Sequence, residues 1–381
     1  MKKIMFFLIL MVCFSIVTLN LNFATTEMNF SNTDEIKNTK SFNTAINNLS
    51  NDTLVIGKEN VNGSTVVDLK GDSVKLNGLE NVQFENITFK NAKYFKVSDS
   101  KNVNFVNVKF EDFIQNGIYI STSSDISIID SSFDNIGSTE IDPTWQGNGV
   151  YARDTVRLQM TNNEISRTYG HGGIFLLNSK DFIINSNKIH DTFYRGIIMY
   201  DGVFTGQIEN NDIYDIGSIN TTDSGVGANG IFGTGDNLYG VSVINNRIKN
   251  VLENGIEGKF GLVEGNLVDG TGIDLENHST PSGEGIYANG LVYRNNIVKN
   301  TKKAGIKVYS STTIKNTIIE DNQISQDSFD DKHYGIALIA ETGYSNVLVK
   351  NNIVTNYRDD VMVYNNDGSV EITSNGYIAL R

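Results

Sequence analysis

Apolar and polar residues alternate in short runs along most of this chain. Val241, Val243 and Ile248 have polar residues between them, and a similar run begins at Val347. Alternation with a period of two over three to five residues predicts short, half-buried β-strands. No amphipathic helical pattern competes in this repeated part of the chain.

The strands belong to a repeat, apolar-x-x-Asn-x-apolar followed by Gly-apolar-x-apolar. One asparagine takes the equivalent position in nine units: Asn163, Asn187, Asn211, Asn246, Asn266, Asn296, Asn322, Asn352 and Asn375. The spacings are 24, 24, 35, 20, 30, 26, 30 and 23 residues, so the longer units carry insertions. Three short strands in a unit of about two dozen residues predict a solenoid with parallel strand pairing. We therefore expect an all-β chain, a single-stranded parallel β-helix of about 12 coils.

The repeated asparagine has a physical reason to be there. The bend between the second and third strands of each coil needs a residue that tolerates the left-handed region, and the amide can bond to its equivalent one coil away. This array resembles the asparagine ladder of right-handed parallel β-helix proteins of the pectate-lyase-like superfamily, from roughly Asn81 to the C-terminus. The resemblance implies a right-handed helix and a carbohydrate-active protein, although such a repeat indicates the fold better than the function.

The first residues have the pattern of a secretory signal. Lys2 and Lys3 precede an apolar stretch over 4–17, and small residues follow near Ala24. We predict a signal peptide over 1–26, cleaved after Ala24, and hence a secreted or cell-surface protein that does not stay in the membrane. Cys13, the only cysteine, lies in this segment, so no disulfide framework is expected.

The predicted domain order continues with an N-terminal polar segment and cap over 27–60. Residues 41–49 read as a short amphipathic helix that covers the open first edge of the solenoid. The parallel β-helix domain then occupies 61–381.

The chain is acidic, with a formal charge of −13 and a pI of about 4.8. Nucleic acids and anionic membrane surfaces are therefore not expected as partners, because a negative surface repels both. An extracellular polysaccharide is the partner that the resemblance to the pectate-lyase-like superfamily implies.

Four predicted insertions follow the third strand of their coils, and we expect them to form walls beside the first strands. They cover 137–147, 216–228, 274–284 and 325–333. The outward positions of the first strands are expected to be Tyr119, Tyr151, Phe175, Ile198, Phe232, Glu257, Tyr287 and Lys307. This face is rich in aromatic and basic residues, and it predicts a groove for a few sugar units.

Reactive side chains concentrate between the first two insertions. The turns before two strands carry Tyr169 with His171, and Tyr194 with Arg195, where other coils place asparagine instead of Arg195. We predict four catalytic residues and five substrate-binding residues. The catalytic set is His171, Arg195, Tyr169 and Arg153, and the binding set is Trp145, Tyr151, Tyr194, Tyr200 and Asp201.

Three functions could use this groove. The preferred one is a lyase that cleaves a uronate-containing polysaccharide by β-elimination, since it needs a basic or tyrosyl proton acceptor and a cation beside the carboxylate. A non-catalytic glycan-binding surface or matrix protein is an alternative, and so is a β-helix glycoside hydrolase or C5-epimerase. A hydrolase would need paired carboxylates, for which Asp154, Asp201, Asp236, Glu257 and Asp274 are candidates of lower rank.

Two tripeptides resemble signatures of the polygalacturonase family. Gly170-His171-Gly172 has a suitable place, but Arg247-Ile248-Lys249 falls at the asparagine turn, away from the groove. No cofactor is required by the sequence. Ca²⁺ is compatible with the exposed carboxylates, while no ligand cluster of recognisable spacing identifies a metal.

Overall fold

A computed structural model describes residues 26–30, 52–57, 65–138, 146–202, 204–218, 227–235, 238–272, 282–288, 290–365, 369–373 and 378–380. Within these ranges the regular structure is entirely β-strand. No helix in them is long and apolar enough to cross a membrane. The predicted signal peptide, the predicted cap helix over 41–49 and Asn375 lie outside the described residues.

The strands, numbered in chain order, form three columns that wind around one core. The first-strand column contains β4 (Val74–Asn77), β7 (Phe95–Ser98), β10 (Ile118–Ser121), β13 (Val150–Arg153), β16 (Gly172–Leu177), β19 (Arg195–Tyr200), β22 (Ile231–Gly233), β25 (Ile256–Gly258), β28 (Ile286–Ala288), β31 (Ile306–Ser310) and β37 (Ile378–Leu380). The second-strand column contains β1 (Thr26–Phe30), β2 (Thr53–Gly57), β5 (Glu80–Glu85), β8 (Lys101–Val106), β11 (Ser124–Ile129), β14 (Val156–Thr161), β17 (Lys180–Asn185), β20 (Thr205–Glu209), β23 (Gly240–Ile244), β26 (Leu262–Glu264), β29 (Val292–Arg294), β32 (Ile314–Glu320), β34 (Tyr344–Lys350) and β36 (Val370–Thr373). The third-strand column contains β3 (Thr65–Asp68), β6 (Ile87–Lys90), β9 (Lys109–Phe113), β12 (Ser132–Ile136), β15 (Glu164–Thr168), β18 (Lys188–Thr192), β21 (Asp212–Ile216), β24 (Arg247–Val251), β27 (Leu267–Thr271) and β30 (Ile297–Thr301). Two long strands, β33 (Gln323–Ala340) and β35 (Ile353–Tyr364), run through both the third and the first column.

Each strand pairs in parallel with its counterpart in the next coil, as the repeat predicted. For example, β14 pairs with β17 in the second column and β15 pairs with β18 in the third. The predicted all-β parallel β-helix is confirmed. Its interior is one continuous apolar core, in which phenylalanines of the early coils stack, such as Phe110 and Phe133 with ring centroids 4.7 Å apart.

The asparagine ladder forms in the interior at the bend between second and third strands. Seven amide bonds of 2.9–3.0 Å join Asn163, Asn187, Asn211, Asn246, Asn266, Asn296, Asn322 and Asn352 in order. One coil earlier Ser131 takes the same place, and its backbone N–H donates to Asn163 Oδ1 at 2.9 Å. The ladder thus supplies the hydrogen bonds that water cannot provide to this column of buried polar groups.

The left-handed backbone conformation that we expected at the ladder asparagine occurs instead at the residue before it. Positive φ occurs directly before each ladder position, at Asn162, Ser186, Asn210, Asn245, Gly265, Asn295, Asp321 and Asn351. The ladder residue itself does not have positive φ. The bend therefore needs a residue such as asparagine or glycine at its outer corner, while the inner asparagine is placed there for its amide.

The predicted insertions have different outcomes. Large parts of the first three, at 139–145, 219–226 and 273–281, lie outside the described residues. The fourth insertion, 325–333, was predicted to project as a loop. This prediction is wrong, because these residues are part of strand β33. The extra residues are taken up by register shifts against β35 at Ser325, Asp330 and Tyr334.

Candidate functional site

The first-strand column brings the predicted outward residues into one row. Parallel registration aligns each Cα with its counterpart in the next coil, beginning with Tyr119 beside Tyr151 and Tyr151 beside Phe175. The full row is Tyr119, Tyr151, Phe175, Ile198, Phe232, Glu257, Tyr287 and Lys307. The row confirms the register that the repeat predicted for this face.

The aromatic members of this row pack on one another outside the main core. The rings of Tyr119 and Tyr151 stack at 4.8 Å, and those of Tyr151 and Phe175 stack at 5.0 Å. Tyr151, Phe175 and Ile198 are buried under their neighbours. Burial, reinforced by Tyr119, raises the pKa of the Tyr151 hydroxyl to about 12. Tyr151 is thus poorly suited to accept a proton near neutral pH.

A groove of about 680 Å³ runs along the N-terminal part of this face, and we call it groove A. It is lined by Tyr94, Lys96, Gln115, Asn116, Tyr119, Gln146, Tyr151, Arg153, Leu177, Tyr200 and Asp201. The ammonium of Lys96 lies 5.2 Å from the ring centroid of Tyr119. Groove A therefore combines stacked tyrosines with cationic groups.

Arg153 provides the second cation of groove A. Its side chain is about half exposed, and Nε donates to Asp154 Oδ2 at 3.2 Å. Asp154 is held in turn by the amide of Asn178 at 2.7 Å. No hydrogen bond to another described residue occupies the terminal nitrogens of Arg153. The guanidinium is held at one edge and can donate from the other.

Groove A brings together four of the predicted site residues, namely Tyr151, Arg153, Tyr200 and Asp201. Tyr200 is 41% exposed, and its ring meets Phe175 edge-on at 6.3 Å. Trp145 lies outside the described residues.

The other predicted residues are not among those that line groove A. His171 contacts Tyr194 edge-on at 5.5 Å and Phe175 at 6.1 Å. Tyr169 follows strand β15, and its backbone N–H donates to the carbonyl of Ile136 at 2.9 Å. His171, Tyr169 and Tyr194 thus lie on the turns that enter the first strands.

Groove A also contains residues that were not predicted as site residues from the sequence. Tyr94, Lys96, Gln115 and Asn116 belong to coils before the first predicted wall. A sequence signal was available, because Lys96 occupies the outward register position aligned with Tyr119. It was missed because Tyr94, and not glycine, precedes this strand, so the strand does not fit the Gly-apolar-x-apolar pattern.

Arg195 belongs to a separate group of buried charges. Its guanidinium carbon lies 4.1 Å from the ring centroid of Phe232, and Nε is buried without a hydrogen-bond partner in the described chain. Burial lowers the pKa of Arg195, against the opposing effects of Glu253 and Glu257. Burial raises the pKa of both glutamates. Glu257 was ranked low as a candidate acid, and the structure places it partly buried on strand β25, beside Arg195 and at the edge of a second groove.

A second groove, groove B, lies beside this group on the same face. It measures about 320 Å³ and is lined by Phe232, Gly233, Thr234, Gly235, Glu257, Gly258, Lys259, Tyr287, Ala288 and Tyr309. The Glu257 carboxylate accepts hydrogen bonds from the amides of Asn229 and Asn254, the latter at 2.8 Å. Lys307 bonds Glu284 at 3.0 Å and lies 4.8 Å from the Tyr287 ring centroid.

The described residues contain no group of three or more His, Cys, Asp or Glu side chains placed to hold a metal ion. A Ca²⁺ cofactor accordingly stays a prediction from composition. The chemistry discussed below uses side chains of the protein alone.

Comparison with known proteins identifies the fold. A family model described as right handed beta helix region matches residues 95–280, slightly less than half of the chain. No curated protein matches the sequence. The chain is a right-handed parallel β-helix protein, as its resemblance to the pectate-lyase-like superfamily implied.

Three solved structures illustrate how many roles this fold carries. The catalytic domain of GH87 alpha-1,3-glucanase in complex with nigerose has a TM-score of 0.58 at 13% identity, covering 92% of this chain and 68% of that one. PfbA, a surface adhesin of Streptococcus pneumoniae, has a TM-score of 0.54 at 12% identity and coverages of 93% and 92%. The Dettilon tailspike protein (gp208) has a TM-score of 0.54 at 12% identity, and the match covers 92% of this chain but only 66% of the tailspike. Similarity at such low identity establishes the fold alone.

Proposed function

We propose that this protein binds an acidic, uronate-containing polysaccharide along groove A. The supporting observation is a local reversal of charge. The chain carries −13 overall, yet the described lining of groove A contains two cations, Lys96 and Arg153, and one carboxylate, Asp201. Asp154 beside the groove pairs with Arg153 through Nε alone. Cations gathered in one groove of an acidic protein favour an anionic ligand there.

Each part of groove A fits one part of such a ligand. The free edge of the Arg153 guanidinium matches the geometry of a uronate carboxylate, which accepts paired hydrogen bonds. Lys96 adds a point charge two coils away, a separation of roughly 10 Å along the stack of strands. Tyr200 and Tyr119 offer aromatic surface and hydroxyl groups to the apolar faces and polar edges of sugar rings.

Cleavage by β-elimination is the second function that we propose for groove A. In that reaction a base removes the proton beside the carboxylate, the bond from the neighbouring carbon to the glycosidic oxygen breaks, and the leaving oxygen takes up a proton. In this proposal Arg153 would neutralise the carboxylate, and exposed Tyr200 would accept the proton. The groove lining favours elimination over hydrolysis, since hydrolysis by the usual mechanism needs two carboxyl groups and the described lining contains Asp201 alone.

Roles for His171 and Arg195 in catalysis remain predictions. His171 does not line groove A, and it is linked to it through Phe175, which stacks on Tyr151 of the groove. Arg195 would act from beneath Phe232. A polysaccharide ligand also agrees with the predicted signal peptide, and we propose that the protein works outside the cell or at its surface.

Binding is tested by titrating a uronate oligosaccharide into the wild-type protein and two arginine variants. Arg153→Ala should weaken binding about tenfold or more, because it removes a charge-assisted contact. Arg157→Ala is the matched control, since Arg157 is also an exposed, carboxylate-paired arginine but lies on the second-strand face. Equal affinity of both variants and wild type would refute the assignment of groove A.

Catalysis is tested by incubating the protein with uronate-containing and neutral polysaccharides. Elimination produces an unsaturated, ultraviolet-absorbing end together with a reducing end, whereas hydrolysis produces the reducing end alone. Loss of the unsaturated product in Arg153→Ala and Tyr200→Phe would place the chemistry in groove A, and loss in His171→Ala would place it on the adjoining turn. Binding without either product would leave the protein as a glycan-binding module.

A further inference from the structure

Groove B differs from groove A in its balance of charge. Each carboxylate around it already has a partner. Glu284 is bonded by Lys307 at 3.0 Å, and Arg195 interacts electrostatically with Glu253 and Glu257. With cations and anions matched in this way, a charged ligand gains little net attraction and would have to displace an existing partner.

Glu257 nevertheless retains an unused acceptor. Both amide bonds from Asn229 and Asn254 end on its Oε2 atom, and both asparagines are fully buried. No hydrogen bond from another described residue occupies Oε1, and the side chain lines groove B. The carboxylate is therefore held in one orientation, with one oxygen available to a ligand. A fixed carboxylate oxygen is a strong acceptor for a hydroxyl group.

Aromatic rings flank this acceptor. Tyr287 is aligned with Glu257 in the next coil, and Tyr309 lies one coil further. Tyr309 is 36% exposed, and its hydroxyl donates to Glu341 at 3.0 Å, which restricts the rotation of the ring. An oriented tyrosine face beside a fixed acceptor suits a sugar ring, which has apolar C–H faces and donating hydroxyl groups.

We propose that groove B is a second carbohydrate-binding site, selective for an uncharged sugar whose hydroxyl group donates to Glu257 Oε1. The site rests on the proposed function only in that its ligand is a glycan. Both grooves lie on the first-strand face in neighbouring coils, because groove A ends at Tyr200 and Asp201 in the Ile198 coil and groove B begins at Phe232 in the next coil. A ligand that occupies both would combine acidic and neutral sugar units along one chain.

The test starts with a uronate oligosaccharide and its carboxyl-reduced, neutral counterpart, together with a panel of neutral oligosaccharides. The neutral probe that binds the wild type most tightly is then titrated into Glu257→Gln, Tyr309→Ala and Arg153→Ala. Glu257→Gln keeps the shape of the side chain but replaces the anionic acceptor, and Asn229 and Asn254 will hold the amide oxygen so that its NH₂ group faces the groove. We expect its affinity for the neutral probe to fall about tenfold or more. Tyr309→Ala should also weaken binding, and Arg153→Ala should not.

The variants separate this proposal from the proposed function. Glu264→Gln, on the second-strand face, controls for the removal of a carboxylate elsewhere. Thermal unfolding verifies that Glu257→Gln is folded, and Tyr309→Ala, a surface change, tests the site independently. The proposal is overturned if no neutral probe binds the wild type, if both groove B variants bind like wild type, or if Arg153→Ala abolishes neutral binding. Failure of the uronate probe to respond to Arg153→Ala would instead refute groove A alone.

Discussion

At the scale of single residues, the ladder asparagines carry several buried hydrogen bonds each. The Asn187 amide donates to Asn211 Oδ1 and to the carbonyl of Met160, both at 3.0 Å. Its Oδ1 accepts from the backbone and side chain of Asn163 at 3.0 and 2.9 Å. One side chain therefore satisfies groups in neighbouring coils that water cannot reach.

We predict that Asn187→Ala destabilises the protein by at least about 3 kcal/mol, because several buried groups lose their partner at about 1–3 kcal/mol each. Urea unfolding measures the change. Gln159→Ala removes an amide from the exposed surface of the neighbouring second strand and should cost less than about 0.5 kcal/mol. A similar loss in both variants would show that the ladder contributes no more than an exposed amide.

The buried glutamates predict a dependence of stability on pH. Burial raises the pKa of Glu253 above its ordinary value of 4.5, so the folded state keeps a proton that the unfolded state releases. The contribution of Glu253 to stability is therefore fully present below about pH 4.5 and is lost as the pH rises through the folded pKa.

Glu253→Gln removes this titration and should gain stability relative to wild type between pH 4.5 and pH 7, which urea unfolding at the two pH values measures. Glu209→Gln on the second-strand face is the control, and its difference from wild type should change less over that range. If the free energy of unfolding of Glu253→Gln fell relative to that of wild type as the pH rises, the sign of this effect would be contradicted.

At the scale of the strand, glycine determines how each coil enters the first column. A Cβ atom on Gly230 would lie 2.6 Å from the carbonyl oxygen of Gly255, and one on Gly196 would lie 2.6 Å from that of Gly230. Neither glycine has positive φ. The Gly-apolar-x-apolar pattern thus reflects the close approach of successive backbones and not a special backbone conformation.

We predict that Gly230→Ala costs about 3 kcal/mol, since both the Gly255 carbonyl and the Ile248 side chain must move. Gly78→Ala separates the two effects of glycine. Gly78 has a φ of +66°, but an added Cβ would meet no atom within 4 Å. Only conformational strain of about 1 kcal/mol is then expected. Thermal and urea unfolding would contradict the account if Gly78→Ala were the more damaging change.

The same repeat explains how much of the fold was predictable. The period of two and the ladder asparagine were sufficient to place Tyr119, Tyr151 and Phe175 in one row, because parallel stacking fixes the register from coil to coil. The exposed fraction of each side chain in that row was not predictable, since it depends on how the neighbouring rings pack on one another. The length of β33 was also missed. A spacing of 30 residues suggested an inserted loop, but register shifts within the strand take up the extra residues.

The candidate site was less predictable than the fold. Arg153 and Tyr200 were identified because the outward face of the first strands is rich in basic and aromatic residues although the chain is acidic. Glu257 was given low rank, since the sequence contains no sign that Asn229 and Asn254, from two different coils, meet its carboxylate. Contacts across coils depend on side-chain conformations that a repeat pattern does not specify.

At the scale of the whole molecule, one face carries two grooves of different chemistry. Groove A gathers Lys96 and Arg153 on an acidic protein, and groove B balances Glu257 and its neighbouring carboxylates with cations. Because all the first strands are parallel and in register, a polysaccharide could follow the helix axis through both grooves. The rigid ladder and core hold the grooves at a fixed separation, so recognition needs little ordering of the protein.

The most direct test is a crystal structure of the protein with a uronate oligosaccharide. We predict a sugar chain in groove A, with one carboxylate bonded to the terminal nitrogens of Arg153, another facing Lys96, and a ring against Tyr119 or Tyr200. An oligosaccharide bound only on the second-strand or third-strand face, with Arg153 and Lys96 left in solvent, would contradict it.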